Sequence, residues 1–298
     1  VNRQVSTVMF IGIDHGTTAI RFASATAEFK MSRSDARTFT IHDLERLCPL
    51  EKIEGIALCY SMGDNFTEVT DITRLTNRGV VTRDGAGEHV GGGTRVFDEV
   101  FQSGIPAVAV PGIHRGSKTD PRFKVYSHQA SPEKIGIAYL VSKHLGDTFI
   151  VSDVSSNTVT LLVQKGLITG AFDACIFAPG TRHGALDVDA IRRVDDGLES
   201  ANEAFMHAGV SDNLPEEYRV SAVAMFAAME IAGLLLLAPD APVALAGSSA
   251  PAVAEEVRGL LRRDTIVFDE WSASRGLSMI AEDIASGTTE ILGIPVDN

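Results

Sequence analysis

The feature that most constrains this chain is a pattern that occurs twice: an apolar strand, an aspartate at its end, a small polar turn and a second apolar strand. The first copy is Phe10-Ile-Gly-Ile-Asp14-His-Gly-Thr-Thr-Ala-Ile-Arg-Phe22, and the second is Phe149-Ile-Val-Ser-Asp153-Val-Ser-Ser-Asn-Thr-Val-Thr-Leu161. Apolar runs on both sides of a short Gly, Ser, Thr or Asn turn predict a β-hairpin in each case. The aspartates are 139 residues apart (153 − 14), close to half of the 298-residue chain, as expected of two similarly built domains. Two lobes are therefore expected, residues 1–145 and 146–298.

Apolar runs near 8–13, 19–25, 54–60 and 105–110 predict strands in the first lobe, with helices over 94–102 and 132–145. Ser131-Pro132-Glu133 is a helix start, with a capping serine, a proline at the first helical position and an early acid. The second lobe reads as strands 149–153, 158–164 and 167–173, helices near 187–194, 198–208 and 215–237, then strand 242–246, helix 251–262, strand 265–268 and helix 273–286. Hairpins followed by alternating strands and helices predict an α/β chain with mixed sheets flanked by helices. Two Gly-rich stretches, 78–94 and 112–126, read as long loops, which in a compact domain are usually functional or mobile.

Charge narrows the partners. With 39 acidic and 26 basic residues the net charge is −13, which argues against nonspecific nucleic-acid binding but leaves room for a small anion at a local cationic site. Cys48, Cys59 and Cys175 are scattered, without the spacing of a disulfide framework or a metal site, and suit reduced thiols in a cytoplasmic protein. The N-terminal apolar stretch is too short for a signal sequence. Residues 222–238 are apolar nearly all round but carry Glu230, so a buried helix rather than a membrane span is expected.

The first hairpin, in the context Ile-Gly-Ile-Asp14-His15-Gly16-Thr17-Thr18, resembles the first phosphate loop of the acetate/sugar kinase, heat-shock chaperone and actin superfamily. That resemblance implies a two-lobe ribonuclease-H-like, actin-type ATPase fold with an inter-lobe nucleotide cleft. It implies that Gly16, Thr17 and Thr18 face nucleotide phosphates while Asp14 holds hydrated Mg2+. Asp153 with Ser155, Ser156 and Asn157 would be the second phosphate loop, and Gly247-Ser248, between a strand and a helix, the adenosine segment. In that superfamily two helices cross between the lobes near the hinge, and Gly136 and Gly276 supply small residues where that crossing would need them.

Further segments narrow the resemblance: His89-Val-Gly-Gly-Gly-Thr94, Pro111-Gly-Ile-His114-Arg115, Tyr126-Ser-His128-Gln-Ala-Ser-Pro-Glu-Lys134 and Phe177-Ala-Pro-Gly-Thr-Arg-His183-Gly-Ala-Leu-Asp187. Together they are similar to the methanogenesis marker protein 12 family, which spans the whole chain, occurs in methane-producing archaea and lies near predicted butyrate kinases. The resemblance supplies no activity. Gly91-Gly92-Gly93-Thr94 ahead of a helix exposes amides suited to an anion, though it lacks the lysine of a Walker loop. His114, Arg115, His128, Arg182 and His183 are loop cations or proton carriers, and none of the histidines shows the i, i+4 helical pairing that announces a metal site.

The expected chemistry is ATP- and Mg2+-dependent phosphoryl transfer to a small carboxylate, with Asp14 and Asp153 at the metal and Arg182, His183 or His128 stabilising developing charge. The alternative is an ATP-dependent switch or scaffold acting on a protein partner in assembling a methanogenesis enzyme. Fold alone does not separate the two.

Overall fold

Both predicted hairpins form. In the first, β1 (Met9–His15) runs antiparallel to β2 (Ala19–Ala23) with Asp14 opposite Arg21. In the second, β9 (Phe149–Val154) runs antiparallel to β10 (Thr158–Gln164) with Asp153 opposite Val159. The computed structural model describes residues 8–60, 66–75 and 91–297. The N-terminal stretch 1–7, His89 and Val90, and most of the expected 78–94 loop lie outside the described residues.

The two sheets share one plan. In the first, β1 and β2 are joined by β3 (Glu28–Ser32), and β1 also pairs in parallel with β4 (Ile53–Cys59). Beyond β4 come β6 (Ala107–Val110), parallel, and the short edge strand β5 (Thr70–Asp71), giving the order β3-β2-β1-β4-β6-β5. In the second, β9 and β10 are joined by β11 (Leu167–Phe172), and β9 pairs in parallel with β12 (Val243–Ala246), which pairs with β13 (Thr265–Val267). Each is an antiparallel meander whose first strand accepts a later strand in parallel, so the sequence repeat is a structural repeat.

Residues fall into two compact units, one made of 1–112, 131–140 and 273–298, the other of 113–130 and 141–272. This division departs from the expected 1–145 and 146–298. The reason is backbone contact that local pattern does not reveal. Helix α8 (Ser272–Ala285) lies against β1 where Gly12 has no side chain, since a Cβ there would overlap the Ser274 carbonyl oxygen, and Ser278 Oγ donates to the Phe10 carbonyl at 2.8 Å. It also meets helix α2 (Glu133–Leu145), where a Cβ on Gly276 would overlap the Gly136 carbonyl. The two helices meet at Gly136 and Gly276, but both glycines lie in the first unit rather than between the lobes as expected. The last short strands, β14 (Glu290–Ile291) and β15 (Ile294–Pro295), complete that unit.

The first core holds Ile11, Ile13, Ile20 and Phe22, with Phe29 and Phe39 stacked on Phe22 at 4.5 and 5.3 Å, and is covered by α1 (Gly92–Ser103) through Val96, Phe97 and Val100. In the second unit the expected 112–126 loop is shaped by β7 (Ile113–His114), which pairs with β8 (His128–Ala130), and by a 3-10 turn that buries Phe123. There α3 (Val188–Asp195), α4 (Ala201–Met206) and α5 (Val210–Asn213) precede α6 (Glu216–Leu235). Among the described residues α6 is the one helix long and apolar enough to cross a membrane, but Val223, Ala227, Ile231 and Leu234 build the second core together with α7 (Ala250–Leu261).

Gly276→Ala is expected to lower stability by about 1–3 kcal/mol or more, because the methyl group has only backbone to displace. Gly259→Ala in α7, where a Cβ meets nothing, should be neutral or up to about 1 kcal/mol stabilising. Urea unfolding of the two variants beside the parent checks the contrast.

Candidate functional site

At the first hairpin, Asp14 ends β1 with 4% of its surface exposed, and its Oδ2 lies 3.5 Å from Arg21 Nη1 on the paired strand. The Arg21 guanidinium reaches over the turn, for a Cβ on Gly16 would lie 2.8 Å from its Nη1 and 2.8 Å from the Ala19 carbonyl. Thr17 and Thr18 are exposed at the tip, so their hydroxyls are available to a ligand. Beneath the turn, the His15 N–H donates to Cys59 Sγ at 3.1 Å, and the thiol lies 3.7 Å from Asp14 Oδ1. Burial, with Asp14 adding to it, pushes the Cys59 thiol well up, which keeps it protonated as a weak donor to that carboxylate. His15 is driven the other way: burial, aided by Arg33, lowers it to about 4, so its ring is neutral at pH 7.

At the second hairpin, Asp153 is again 4% exposed, and Ser155 Oγ donates to its Oδ2 at 3.3 Å. Gly247 follows β12 with φ +94°, a left-handed conformation that L side chains rarely adopt, and a Cβ there would overlap Asp153 Oδ1. The backbone of the expected adenosine segment therefore lies directly against the carboxylate of the expected second phosphate loop. Ser248 beside it is exposed, and the Ser249 N–H donates to the Val154 carbonyl at 2.9 Å.

The loop carrying Arg182 and His183 is fastened to the same turn. The Thr181 N–H donates to the Ser155 carbonyl at 3.0 Å, and the Arg182 and His183 N–H groups both donate to the Ser156 carbonyl at 2.9 Å. The Arg182 side chain is exposed, whereas His183 is buried and stacked on Phe205 with ring centroids 4.8 Å apart. Asp153, Ser155, Ser156, Asn157, Arg182, His183, Gly247 and Ser248 thus gather in the second unit, while Asp14, Gly16, Thr17 and Thr18 gather in the first. His128, also in the second unit, places Nε2 3.2 Å from Asp173 Oδ2, a contact that orients its ring. His114 and Arg115 hold their own loop: His114 Nδ1 accepts from the Gly116 N–H, and Arg115 donates to the Lys124 and Val125 carbonyls.

No family model matches the chain. A UPF0285 protein from Methanosarcina mazei is 45% identical, with 97% of this chain and 99% of that protein covered. The chain belongs to the UPF0285 family. Another UPF0285 relative, from Methanococcus maripaludis, is 42% identical over 97% of this chain and the whole of its own length. Among solved structures, the UPF0285 fold matches a propionate kinase from Francisella tularensis (TM-score 0.63, 14% identity, 93% of this chain and 98% of that one). It also matches an acetate kinase from Porphyromonas gingivalis (TM-score 0.57, 10% identity, 94% and 99%). A ROK family glucokinase from Streptomyces griseus, solved with glucose and AMPPNP, matches at TM-score 0.52 and 12% identity over 92% and 99%. The UPF0285 fold is the actin-type ATPase fold of these kinases.

Sequence reasoning missed several groups of this UPF0285 site. Arg21 and Cys59 sit inside strand patterns and read there as ordinary strand residues; the only available signal was the register that places Arg21 opposite Asp14. A buried polar string in the second unit was also missed: Ser152 Oγ and Thr160 Oγ1 lie 2.9 Å apart, Thr160 donates to Glu230 Oε2 at 2.7 Å, and the Ala178 N–H donates to Oε1 at 3.2 Å. Burial pushes Glu230 up to about 8 despite these bonds, with Asp173 adding repulsion.

An unfolded glutamate titrates near 4.5, so between that pH and about 8 the folded protein holds a proton that the unfolded chain has lost. This contribution to stability is present in full below the unfolded value and fades as pH rises through about 8. Glu230→Gln should remove the dependence. Urea unfolding from pH 5.5 to 8.5 is expected to show the parent losing stability relative to the variant, and parallel curves would contradict the assignment.

Proposed function

We propose that this UPF0285 protein binds ATP with Mg2+ and transfers a phosphoryl group to a small carboxylate. The observation that carries the reading is the doubled hairpin, each with a nearly buried aspartate at the strand end and small turn residues beyond it, in the fold of a propionate and an acetate kinase. The donor sets fit the ligands. Gly16 and Gly247 bring backbone against the Arg21 guanidinium and the Asp153 carboxylate, and Thr17, Thr18, Ser155, Ser156 and Asn157 offer hydroxyl, amide and backbone groups to phosphate oxygens. Exposed Ser248 and the Gly247 backbone would hold the nucleoside.

Asp14 would hold Mg2+ through water and Asp153 would complete its shell or orient the acceptor. When bound, that ion neutralises charge on the phosphates. Arg21 lies over the first turn and adds a fixed cation next to Gly16. A carboxylate acceptor is ionised at neutral pH, so the chain supplies position and charge rather than a base. Of the groups proposed to stabilise developing charge, Arg182 presents an exposed guanidinium, His128 is oriented by Asp173, and His183 braces the loop through its stacking on Phe205. The methanogen source of the relatives supports membership of the methanogenesis marker protein 12 family and a role in that metabolism.

Calorimetry with Mg2+ and ATP, ADP or GTP is expected to show saturable binding that Asp14→Ala and Asp153→Ala each abolish, followed by ADP release that small carboxylic acids stimulate. Full turnover in both variants would sink the reading. Slow turnover indifferent to acids would favour the ATP-dependent switch.

A further inference from the structure

Helix α6 has two apolar faces. The inner one, with Val223, Ala227, Ile231 and Leu234, builds the second core. At about 3.6 residues per turn the opposite side carries Tyr218, Ala222, Met225, Met229, Ala232 and Leu236, spaced 4-3-4-3-4 along the chain. That is the heptad spacing with which one helix packs along another. Among the described residues nothing closes this side: Tyr218 is 58% exposed, Met225 42%, Met229 51% and Leu236, at the C-cap, 83%. Phe177, also exposed and edge-on to Phe226 of α6 at 5.6 Å, widens the patch.

Charge leaves the stripe untouched. Between Arg219 and Asp240 the chain has one ionisable side chain, Glu230, and it turns inward to Thr160 and the Ala178 N–H. The stripe is therefore apolar over about 27 Å, the length of 18 helical steps. Its bare surface, on the order of 500 Å² with Phe177, is large for a monomer, and two such faces together approach the roughly 1,200 Å² at the lower end of stable interfaces. A lipid surface suits it poorly. Helices that lie on membranes carry Lys or Arg beside the apolar face, whereas this chain has neither between Arg219 and Arg258 and a net charge of −13.

We propose that the outer stripe of α6 binds a second copy of this chain, with the two α6 helices antiparallel about a two-fold axis level with Ala227. The stripe reads the same in both directions from that level. Tyr218 of one copy then meets Leu236 of the other, Ala222 meets Ala232 and Met225 meets Met229, and each contact occurs twice. Large residues face large ones, and the small pairs between them let the helices approach. Antiparallel pairing also sets the positive end of each helix dipole beside the negative end of the other. A face that is its own complement singles out a second copy over an unrelated protein.

The test is sedimentation of the whole chain without nucleotide, so its outcome is separate from the phosphoryl-transfer reading. The parent is expected to sediment with twice the mass of one chain at micromolar concentration. Met229→Glu, at an exposed position in the middle of the stripe, should raise the dimer Kd about hundredfold or more. Val220→Glu, exposed on the other side of α6, should leave the mass unchanged.

Cross-linking tests the geometry in an otherwise parental surface. In a Cys175→Ser background the remaining cysteines are buried. A short bis-maleimide should then join Tyr218→Cys to Leu236→Cys in a mixture of the two variants. It should leave Leu236→Cys alone unlinked, because its two copies lie about 27 Å apart along the axis. A single-chain mass at tens of micromolar, a Met229→Glu protein that still pairs, loss of pairing in Val220→Glu, or Leu236→Cys linking to itself would each overturn the proposal. So would a single-chain protein that binds vesicles of phosphatidylcholine and phosphatidylglycerol through this stripe.

Discussion

The packing of the first unit depends on places where two stretches of backbone meet with no side chain between them. Gly12 lets α8 rest on the strand that carries Asp14, and Gly136 and Gly276 let α2 and α8 meet carbonyl to Cα. Interiors are packed near crystal density, so one methyl group at such a point has nowhere to go. The aspartate's position is thus set from below by α8, from the side by Arg21 and from behind by the Cys59 thiol. A phosphate-binding turn needs this support, because short hairpins alone are marginally stable in water.

The two hairpins share a backbone plan but differ in chemistry. The first has an arginine across the ladder from its aspartate and a second arginine, Arg33, near the following histidine. In the second a valine stands across from the aspartate, a serine donates to it, and a glycine backbone presses on it. The first hairpin therefore offers fixed positive charge beside its aspartate, whereas the second offers backbone shape beside its own.

Much of this was legible in the chain. Apolar runs and turn residues located both hairpins, α6 and the parallel strands β4 and β12, because those signals are local. Strand β3 escaped notice since only Phe29 of Glu28–Ser32 is buried, leaving a weak alternation. The predicted helix over 198–208 is shorter, α4 starting at the Ser200 capping box, and α5 follows after Gly209. The division into units was not legible, because it rests on contacts between residues more than a hundred positions apart. The same limit hid the surroundings of His15: the sequence shows a histidine in a turn, and only the fold brings Arg33 and the start of α1 to its ring.

The return of residues 273–298 to the first unit gives the molecule an order of completion. A ribosome makes residues 1–112 first, yet that sheet lacks α8 until the whole of 141–272 has been synthesised. The second unit, by contrast, has all its segments as soon as residue 272 emerges. The later half of the repeat is complete before the earlier one, and the nascent first sheet must wait with the bare Gly12 face uncovered while its twin assembles, an exposure of the kind chaperones attend.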